Sequence, residues 1–182
     1  MMKIMLGLTL MISFLTEAKT MKTETATLAG GCFWGMEEIL RSIKGVSKTV
    51  VGYTGGKVEN PKYEIVKLGT SNHAESVEIE FDPAVLSYSE VLGYFFRMHD
   101  PTTVNQQGND KGTQYRSVIF YHSPEQKRVA EEMIERTNSS KKWPKPIVTQ
   151  VLPATKFYPA EEYHQDYLQK NPGGYTCHWL RN

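Results

Sequence analysis

Stretches of alternating or β-branched residues predict five strands along the chain. They are expected at residues 23–29, 46–53, 75–81, 115–121 and 147–152. The alternation is clearest in the third stretch, where Val77, Ile79 and Phe81 fall on one face. A period of two is typical of a strand that buries one of its sides, so this stretch predicts a half-buried strand.

Helical spacing of apolar residues and capping residues predict five helices. They are expected directly after Cys32, at about 60–68, behind residue 87, at about 123–137 and at 160–168. Residues 87–90, Ser-Tyr-Ser-Glu, form a capping box, and Asn60 is expected to cap the short second helix. Residues 100–112 predict a long polar loop. Because strands and helices alternate, the sequence predicts an α/β fold in which helices pack on a sheet.

Size and charge limit the classes of function. The 182 residues are enough for one domain with one sizeable core. Lys and Arg number 21 and Asp and Glu number 20, which gives a formal net charge of +1. This balance, without a basic run that contains aromatic residues, gives no indication of a nucleic-acid partner. We expect a monomer without a cofactor or a bound metal.

The first 20 residues differ in composition from the rest of the chain. Lys3 precedes an apolar run at 4–15, and the small residue Ala18 follows it. This order is typical of a secretory signal peptide, and the run is shorter than the roughly 20 apolar residues that span a bilayer. We therefore expect residues 1–20 to direct export and residues 21–182 to form the single folded domain. The alternative is a cytoplasmic protein whose translation starts at Met21.

Cys32 lies where an apolar stretch ends and a helical pattern begins. The glycines beside it, Gly30 and Gly31, allow a sharp turn and are expected to leave the sulfur uncovered. At a helix N-terminus, free N–H groups and the helix dipole favour the thiolate, which is the nucleophilic form of cysteine. The alternative is an inert buried cysteine.

Phe33 and Trp34 follow the cysteine directly. Helix capping does not explain them, since Ser, Thr, Asp or Asn caps a helix better. Adjacent residues point in different directions on a helix, so at least one of the two rings is expected to line the space before the sulfur. The sequence thus predicts an apolar wall for a small uncharged group.

The chain resembles the type A peptide methionine sulfoxide reductases. The likeness extends from residue 24 to the C-terminus and departs from the family at Asn72, where glycine is usual. The motifs that carry it are 27–35 (TLAGGCFWG), 52–56 (GYTGG), 73–75 (HAE), 99–103 (HDPTT), 105–110 (NQQGND) and 114–117 (QYRS). The resemblance implies a two-layer α/β sandwich with a ferredoxin-like mixed sheet and a long coiled C-terminal segment.

The resemblance also implies an activity and roles for single residues. Methionine S-sulfoxide, free or in oxidised proteins, would be reduced to methionine by Cys32, which becomes a sulfenic acid. Cys177 would then form a disulfide with Cys32, and thioredoxin or an equivalent dithiol would reduce it. Glu75 matches the family's acid, and a buried position would keep it protonated. The resemblance assigns substrate contacts to Phe33, Trp34, Tyr63, Asp110 and Tyr115.

Other functions use the same residues differently. Cys32 is chemically suited to a peroxidase, and the domain is also compatible with a module that binds oxidised methionine without turnover. A dithiol oxidoreductase of the thioredoxin type is disfavoured because the chain has no Cys-x-x-Cys motif. A metal site built from Cys32, His73, Cys177 and His178 is disfavoured by its scattered spacing.

Overall fold

A computed structural model describes residues 23–182. The predicted signal peptide at 1–20 and the alternative start at Met21 lie outside the described residues. Eight strands are present in this part of the chain, and three of them are only two residues long. In chain order they are β1 (Glu24–Gly30), β2 (Val46–Thr54), β3 (Ala74–Phe81), β4 (Gln106–Gln107), β5 (Asp110–Lys111), β6 (Ser117–Tyr121), β7 (Gln150–Pro153) and β8 (Tyr158–Pro159).

Five helices accompany the strands. They are α1 (Phe33–Arg41), α2 (Tyr63–Val66), α3 (Tyr88–Met98), α4 (Pro124–Ser139) and α5 (Tyr167–Lys170). A single 3-10 turn, Thr113–Tyr115, precedes β6. The capping box is confirmed, because Ser87 Oγ accepts from the Glu90 N–H and Glu90 Oε2 accepts from the Ser87 N–H. No helix among residues 23–182 is both long and apolar enough to span a membrane.

Six strands form one mixed sheet in the order β7-β6-β1-β3-β2-β8. Its centre is a β-α-β-β-α-β unit of β1, α1, β2, β3, α3 and β6, which is the ferredoxin-like arrangement. All pairs are antiparallel except β6 with β7. Strands β4 and β5 pair separately as a small hairpin inside the polar loop. The predicted α/β class and sheet type are confirmed.

The alternation in β1 and β3 decides which face of the sheet is covered. Leu28 lies opposite Val77 and Ala26 lies opposite Ile79, and all four side chains belong to the main core beneath α1 and α3. On the other face Thr27 donates a hydrogen bond to Glu78. The period of two therefore places Glu75, two residues before Val77, on the helix-covered face.

The predicted helix at 160–168 is wrong. Only Tyr167–Lys170 is helical, and the residues before it form turns. Glu161 accepts hydrogen bonds from Tyr53 and Tyr63, and Gln165 bonds both backbone groups of Val51. These long-range contacts fix the segment in a non-helical path, which local spacing does not reveal.

Asn60 and Tyr115 also differ from expectation. Asn60 has a φ of 48° and does not cap α2, which begins at Tyr63 after an extended Lys62. Tyr115 ends the 3-10 turn and does not begin a strand. Asn72, by contrast, has the positive φ of 58° that asparagine tolerates better than most residues.

A long segment after β8 crosses the start of α1 and returns to α3. At its near end Asp166 pairs with Arg41 of α1 at 2.6 Å. At its far end the Arg181 N–H donates to the Arg97 carbonyl at 3.0 Å. The predicted coiled C-terminal segment is confirmed apart from the four residues of α5, and its last part, residues 171–182, is called the C-terminal tail below.

Candidate active site

Cys32 occupies the N-cap position of α1, as its place in the sequence predicts. Gly31 before it has a φ of 111°, a conformation that favours glycine. The Cys32 side chain makes no capping hydrogen bond. The first helical N–H, that of Phe33, instead donates to Glu75 Oε2 at 3.2 Å. The junction of β1 and α1 therefore brings the cysteine and the buried carboxyl of β3 to the same place.

A small cavity of about 110 Å³ opens at this junction. Seven of the eight residues proposed from the sequence line it, and Tyr175 of the C-terminal tail completes the wall. The lining residues are Cys32, Phe33, Trp34, Tyr63, Glu75, Asp110, Tyr115 and Tyr175. They come from α1, α2, β3, β5, the 3-10 turn and the tail, so only the complete fold assembles the site.

The sulfur of Cys32 is covered, contrary to the expectation from its glycine neighbours. The residue is 6% exposed. Burial raises the pKa of Cys32 well above its usual range, the nearby Glu75 adds to this, and the Trp34 backbone N–H lowers it. Desolvation thus outweighs the helix N-terminus, and the resting cysteine is a thiol.

Glu75 is buried at the start of β3 and is 2% exposed. Burial raises its pKa to about 8, the Phe33 N–H lowers it, and nearby Asp110 raises it further. The carboxyl is accordingly protonated for most of the time at neutral pH. This is the condition for an acid that donates its proton to a bound substrate.

Phe33 and Trp34 have different surroundings. Phe33 is 1% exposed and its ring lies 5.9 Å from that of Tyr53, so it belongs to the core as well as to the cavity wall. Trp34 is half-buried, and its Nε1–H donates to His164 Nδ1 at 3.1 Å while its ring stacks on Tyr167 at 3.7 Å. Both rings therefore form an apolar wall of the cavity, and neighbouring aromatic side chains pack against them and fix their positions.

Tyr63 and Tyr115, two of the three tyrosines that line the cavity, are half-buried. The Tyr63 N–H donates to Glu161, and the Tyr63 ring meets His164 at 4.5 Å. Burial and the neighbouring Glu75 raise the pKa of Tyr63 to about 12 and that of Tyr115 above its usual range. Both hydroxyls therefore stay protonated, and among residues 23–182 neither has a protein hydrogen-bond partner.

The sequence pattern of the family described as peptide methionine sulfoxide reductase matches residues 24–182. The chain belongs to this family. The peptide methionine sulfoxide reductase MsrA 1 of Mesorhizobium japonicum is 55% identical to it over 159 residues, which cover 87% of this chain and 90% of the relative.

Solved structures agree with this membership. Mxr1 from Saccharomyces cerevisiae in its reduced form has a TM-score of 0.84 and 40% identity, covering 94% of this chain and 99% of Mxr1. Mxr1 in complex with Trx2 has a TM-score of 0.62 and 29% identity over the same shares of the two chains. This chain therefore has the fold of Mxr1.

In this member of the reductase family the second cysteine lies beside the cavity. Cys177 is half-buried, and both cysteines are free thiols. Burial and then Asp110 raise the pKa of Cys177 to about 12, whereas a hydrogen bond from the Cys32 backbone N–H lowers it. The tail thus holds the Cys177 sulfur at the N-terminus of α1, next to the residue with which it is expected to pair.

His178 anchors the tail against α1. Its Nε2 lies 2.9 Å from the Gly30 carbonyl oxygen, which can only accept, so Nε2 carries the proton. Nδ1 is then the acceptor that faces Cys177 Sγ at 3.4 Å. Burial lowers the pKa of His178 to about 4, which keeps this tautomer neutral. A side chain on Gly35 would collide with Thr176 and His178 of the tail, whereas one on Gly31 would collide with Gln107 of β4.

Two members of this reductase site escape sequence reasoning. Tyr175 donates a 3.0 Å hydrogen bond to Asp110 Oδ2 and closes the cavity from the tail. The anchoring role of His178 also has no periodic or spacing signal. Among the described residues no group of three or more His, Cys, Asp or Glu side chains is arranged to hold a metal ion.

Proposed function

We propose that the chain reduces methionine S-sulfoxide, free or within oxidised proteins, to methionine. The observation that carries the proposal is the shared cavity of Cys32 and Glu75, in which a thiol and a protonated carboxyl face the same small space. A sulfoxide oxygen leaves sulfur only when it is protonated, so the reaction needs a nucleophile and an acid together. The S epimer is proposed on family resemblance.

In the proposed reaction the Cys32 sulfur attacks the substrate sulfur while Glu75 protonates the sulfoxide oxygen. Hydroxyls of Tyr63 and Tyr115 donate hydrogen bonds to that oxygen as charge develops on it. The oxygen then moves to Cys32 as the transient bond between the two sulfurs breaks, and methionine leaves. The proton from Glu75 stays on the sulfenic acid oxygen, and the thiol proton of Cys32 restores Glu75. No net proton is taken up, because one thiol and one sulfoxide become one sulfenic acid and one thioether.

The apolar side of the cavity supports the choice of substrate. Phe33 and Trp34 offer ring surfaces to the methyl group next to the sulfoxide, and neither ring carries a charge. Asp110 also lines the cavity, and we propose that it contacts the polar part of a methionine residue. An uncharged group with one strongly polar oxygen therefore suits this cavity better than a charged ligand.

Recycling completes the proposed cycle. The Cys177 thiol attacks the Cys32 sulfenic acid, which forms a disulfide and releases water. A dithiol reductant such as thioredoxin then restores both thiols and itself becomes a disulfide. The structure of Mxr1 in complex with Trx2 supports the proposal that thioredoxin is the partner of this chain.

The proposal is tested by steady-state assays with thioredoxin, thioredoxin reductase and NADPH. We expect NADPH oxidation with methionine S-sulfoxide and far less with hydrogen peroxide. Faster turnover with peroxide would indicate a peroxidase, and tight sulfoxide binding without NADPH oxidation would indicate a binding module.

Residues 1–20 are proposed to be a signal peptide on the basis of Lys3, the apolar run at 4–15 and Ala18. Mass spectrometry of the mature protein in the cell fraction where it accumulates tests this. An N-terminus near residue 21 outside the cytoplasm is expected, and an intact cytoplasmic chain would contradict export.

A further inference from the structure

A groove of about 280 Å³ lies between α3, α4 and the C-terminal tail, away from the cavity of Cys32. Its floor is apolar, with Phe96, Met133 and Trp143. Its rim is cationic. We call this surface the basic groove and define it by Gly93, Phe96, Arg97, Met133, Arg136, Thr137, Ser140, Lys142, Trp143, Arg181 and Asn182.

The four cations of the basic groove have no ion-pair partner among residues 23–182. They are Arg97, Arg136, Lys142 and Arg181. Elsewhere on α4 the basic residues are paired, since Arg128 contacts Glu125 and Glu132. Four unpaired cations around an apolar floor favour a partner that presents acidic groups around an apolar side chain.

Trp179 and Arg181 connect Cys177, along the tail, to the basic groove. Trp179, two residues after Cys177, is 59% exposed. The Arg181 guanidinium lies 4.2 Å from the Trp179 ring and 5.3 Å from the Trp143 ring, so it links the tail to the groove. Tryptophan and arginine are the residues most often found at the energetic centres of protein interfaces.

The partner that must reach this part of the molecule is the reductant of the disulfide. Cys177 is half-buried on the tail whereas Cys32 is 6% exposed beneath it, so Cys177 is the sulfur that a protein dithiol can attack. Attack by one thiolate forms a mixed disulfide with Cys177 and releases the Cys32 thiol. The second thiol of the reductant then breaks the mixed disulfide and releases Cys177.

We propose that the basic groove, with Trp179 and Arg181, is the docking surface for the dithiol reductant, which contacts it through an acidic and apolar patch. The proposal rests on the proposed function, because it assigns a place to the reductant of that cycle. Docking at the groove holds the reductant beside Cys177 without occupying the substrate cavity.

Charge reversal at the rim tests the proposal. Arg136 and Lys142 are exposed and belong to no part of the catalytic site, so Lys142→Glu and the double variant Arg136→Glu/Lys142→Glu are suitable changes. Lys44→Glu is the matched control, since Lys44 is also exposed and has no ion pair in the described chain. For each protein, KM and kcat are measured with thioredoxin and, separately, with dithiothreitol.

We expect the double variant to raise the KM for thioredoxin about tenfold, and Lys142→Glu to raise it by a smaller factor. Turnover with dithiothreitol and the KM for methionine sulfoxide should not change, and Lys44→Glu should behave as the unmodified protein. Added salt should raise the thioredoxin KM of the unmodified protein more than that of the double variant.

Three results would overturn the docking proposal. The first is an unchanged thioredoxin KM in the double variant, and the second is a loss of turnover with dithiothreitol equal to the loss with thioredoxin. The third is a double variant whose only defect is slower reduction of oxidised-protein substrates or weaker binding to anionic vesicles. Failure of the proposed function looks different, because the unmodified protein would then produce no methionine with either reductant.

Discussion

The Phe33 N–H donates a 3.2 Å hydrogen bond to Glu75 Oε2, which joins the first residue of α1 to the start of β3. This hydrogen bond gives the buried carboxyl of Glu75 a neutral backbone partner beside the cysteine. The N–H lowers the pKa of Glu75, but burial dominates and raises it to about 8. The result is an acid that is available at neutral pH, and the first two predictions depend on it.

Glu75→Gln should remove the acid and keep the fold. The glutamine carbonyl can still accept from the Phe33 N–H, so we expect a native protein whose rate of single-turnover sulfoxide reduction falls about 10²- to 10⁴-fold. Glu80→Gln, on the same strand but paired with Lys48 at the surface, is the control and should keep the full rate. Unimpaired reduction by Glu75→Gln would exclude Glu75 as the acid.

Stability should depend on pH through Glu75. Its pKa is about 8 in the folded protein and near the ordinary value of 4.5 when unfolded, so between these values only the folded state holds the proton. The free energy of unfolding should therefore fall as pH rises from about 5 to 8, on the order of 1 kcal/mol per pH unit from this group. Urea unfolding at several pH values measures the slope, which should be smaller in Glu75→Gln. Parallel profiles would show that Glu75 has an ordinary pKa.

Cys177→Ser should separate reduction from recycling. The variant retains Cys32, Glu75 and the cavity, so we expect one methionine per protein in a single turnover. Thioredoxin-supported turnover should nearly stop, because the Cys32 sulfenic acid has no thiol partner in the chain. Mass spectrometry after trapping with dimedone checks for the sulfenic acid at Cys32. Normal thioredoxin-supported turnover would disprove the resolving role.

Gly35→Ala should disturb the tail. A methyl group there would overlap Thr176 Oγ1 and lie 2.8 Å from His178 Nδ1, although alanine by itself favours a helix by about 1 kcal/mol. We expect single-turnover reduction to persist while disulfide formation slows. Gly93→Ala in α3 is the matched control, because a methyl group at Gly93 meets no atom within 4 Å. Equal rates of disulfide formation in the two variants would contradict the packing of the tail on α1.

His164→Ala should weaken the wall behind the substrate. His164 accepts from Trp34 Nε1 and packs against Phe33 and Tyr63, so its loss should cost about 2 kcal/mol of stability. We expect the KM for methionine sulfoxide to rise more than kcat falls. His122→Ala, which lies away from the cavity, is the control. An unchanged KM in His164→Ala would show that Trp34 is held by other contacts.

Local patterns predicted the parts of the fold that depend on short stretches of sequence. The alternation of Val77, Ile79 and Phe81 gave the strand and its buried face, and the capping box gave the start of α3. The place of Cys32 before α1 followed from the glycines and the helical spacing behind it. Each of these signals is carried by neighbours in the chain.

The remaining features depend on contacts between distant residues. The side chains of Glu161 and Gln165 accept hydrogen bonds from β2, and the segment therefore forms turns where a helix was expected. The contact of Tyr175 with Asp110 brings the tail to β5, although the two residues are 65 positions apart in the sequence. Composition and periodicity do not reveal contacts between distant residues. The resemblance to a family therefore supplied most of the site residues.

The most direct test of the account is one turnover of pre-reduced protein with the two methionine sulfoxide epimers separately, without added reductant, followed by a count of free thiols. We expect about one methionine per protein from the S epimer, none from the R epimer, and the loss of both thiols as a Cys32–Cys177 disulfide. Consumption of neither epimer, with both thiols intact, would contradict it.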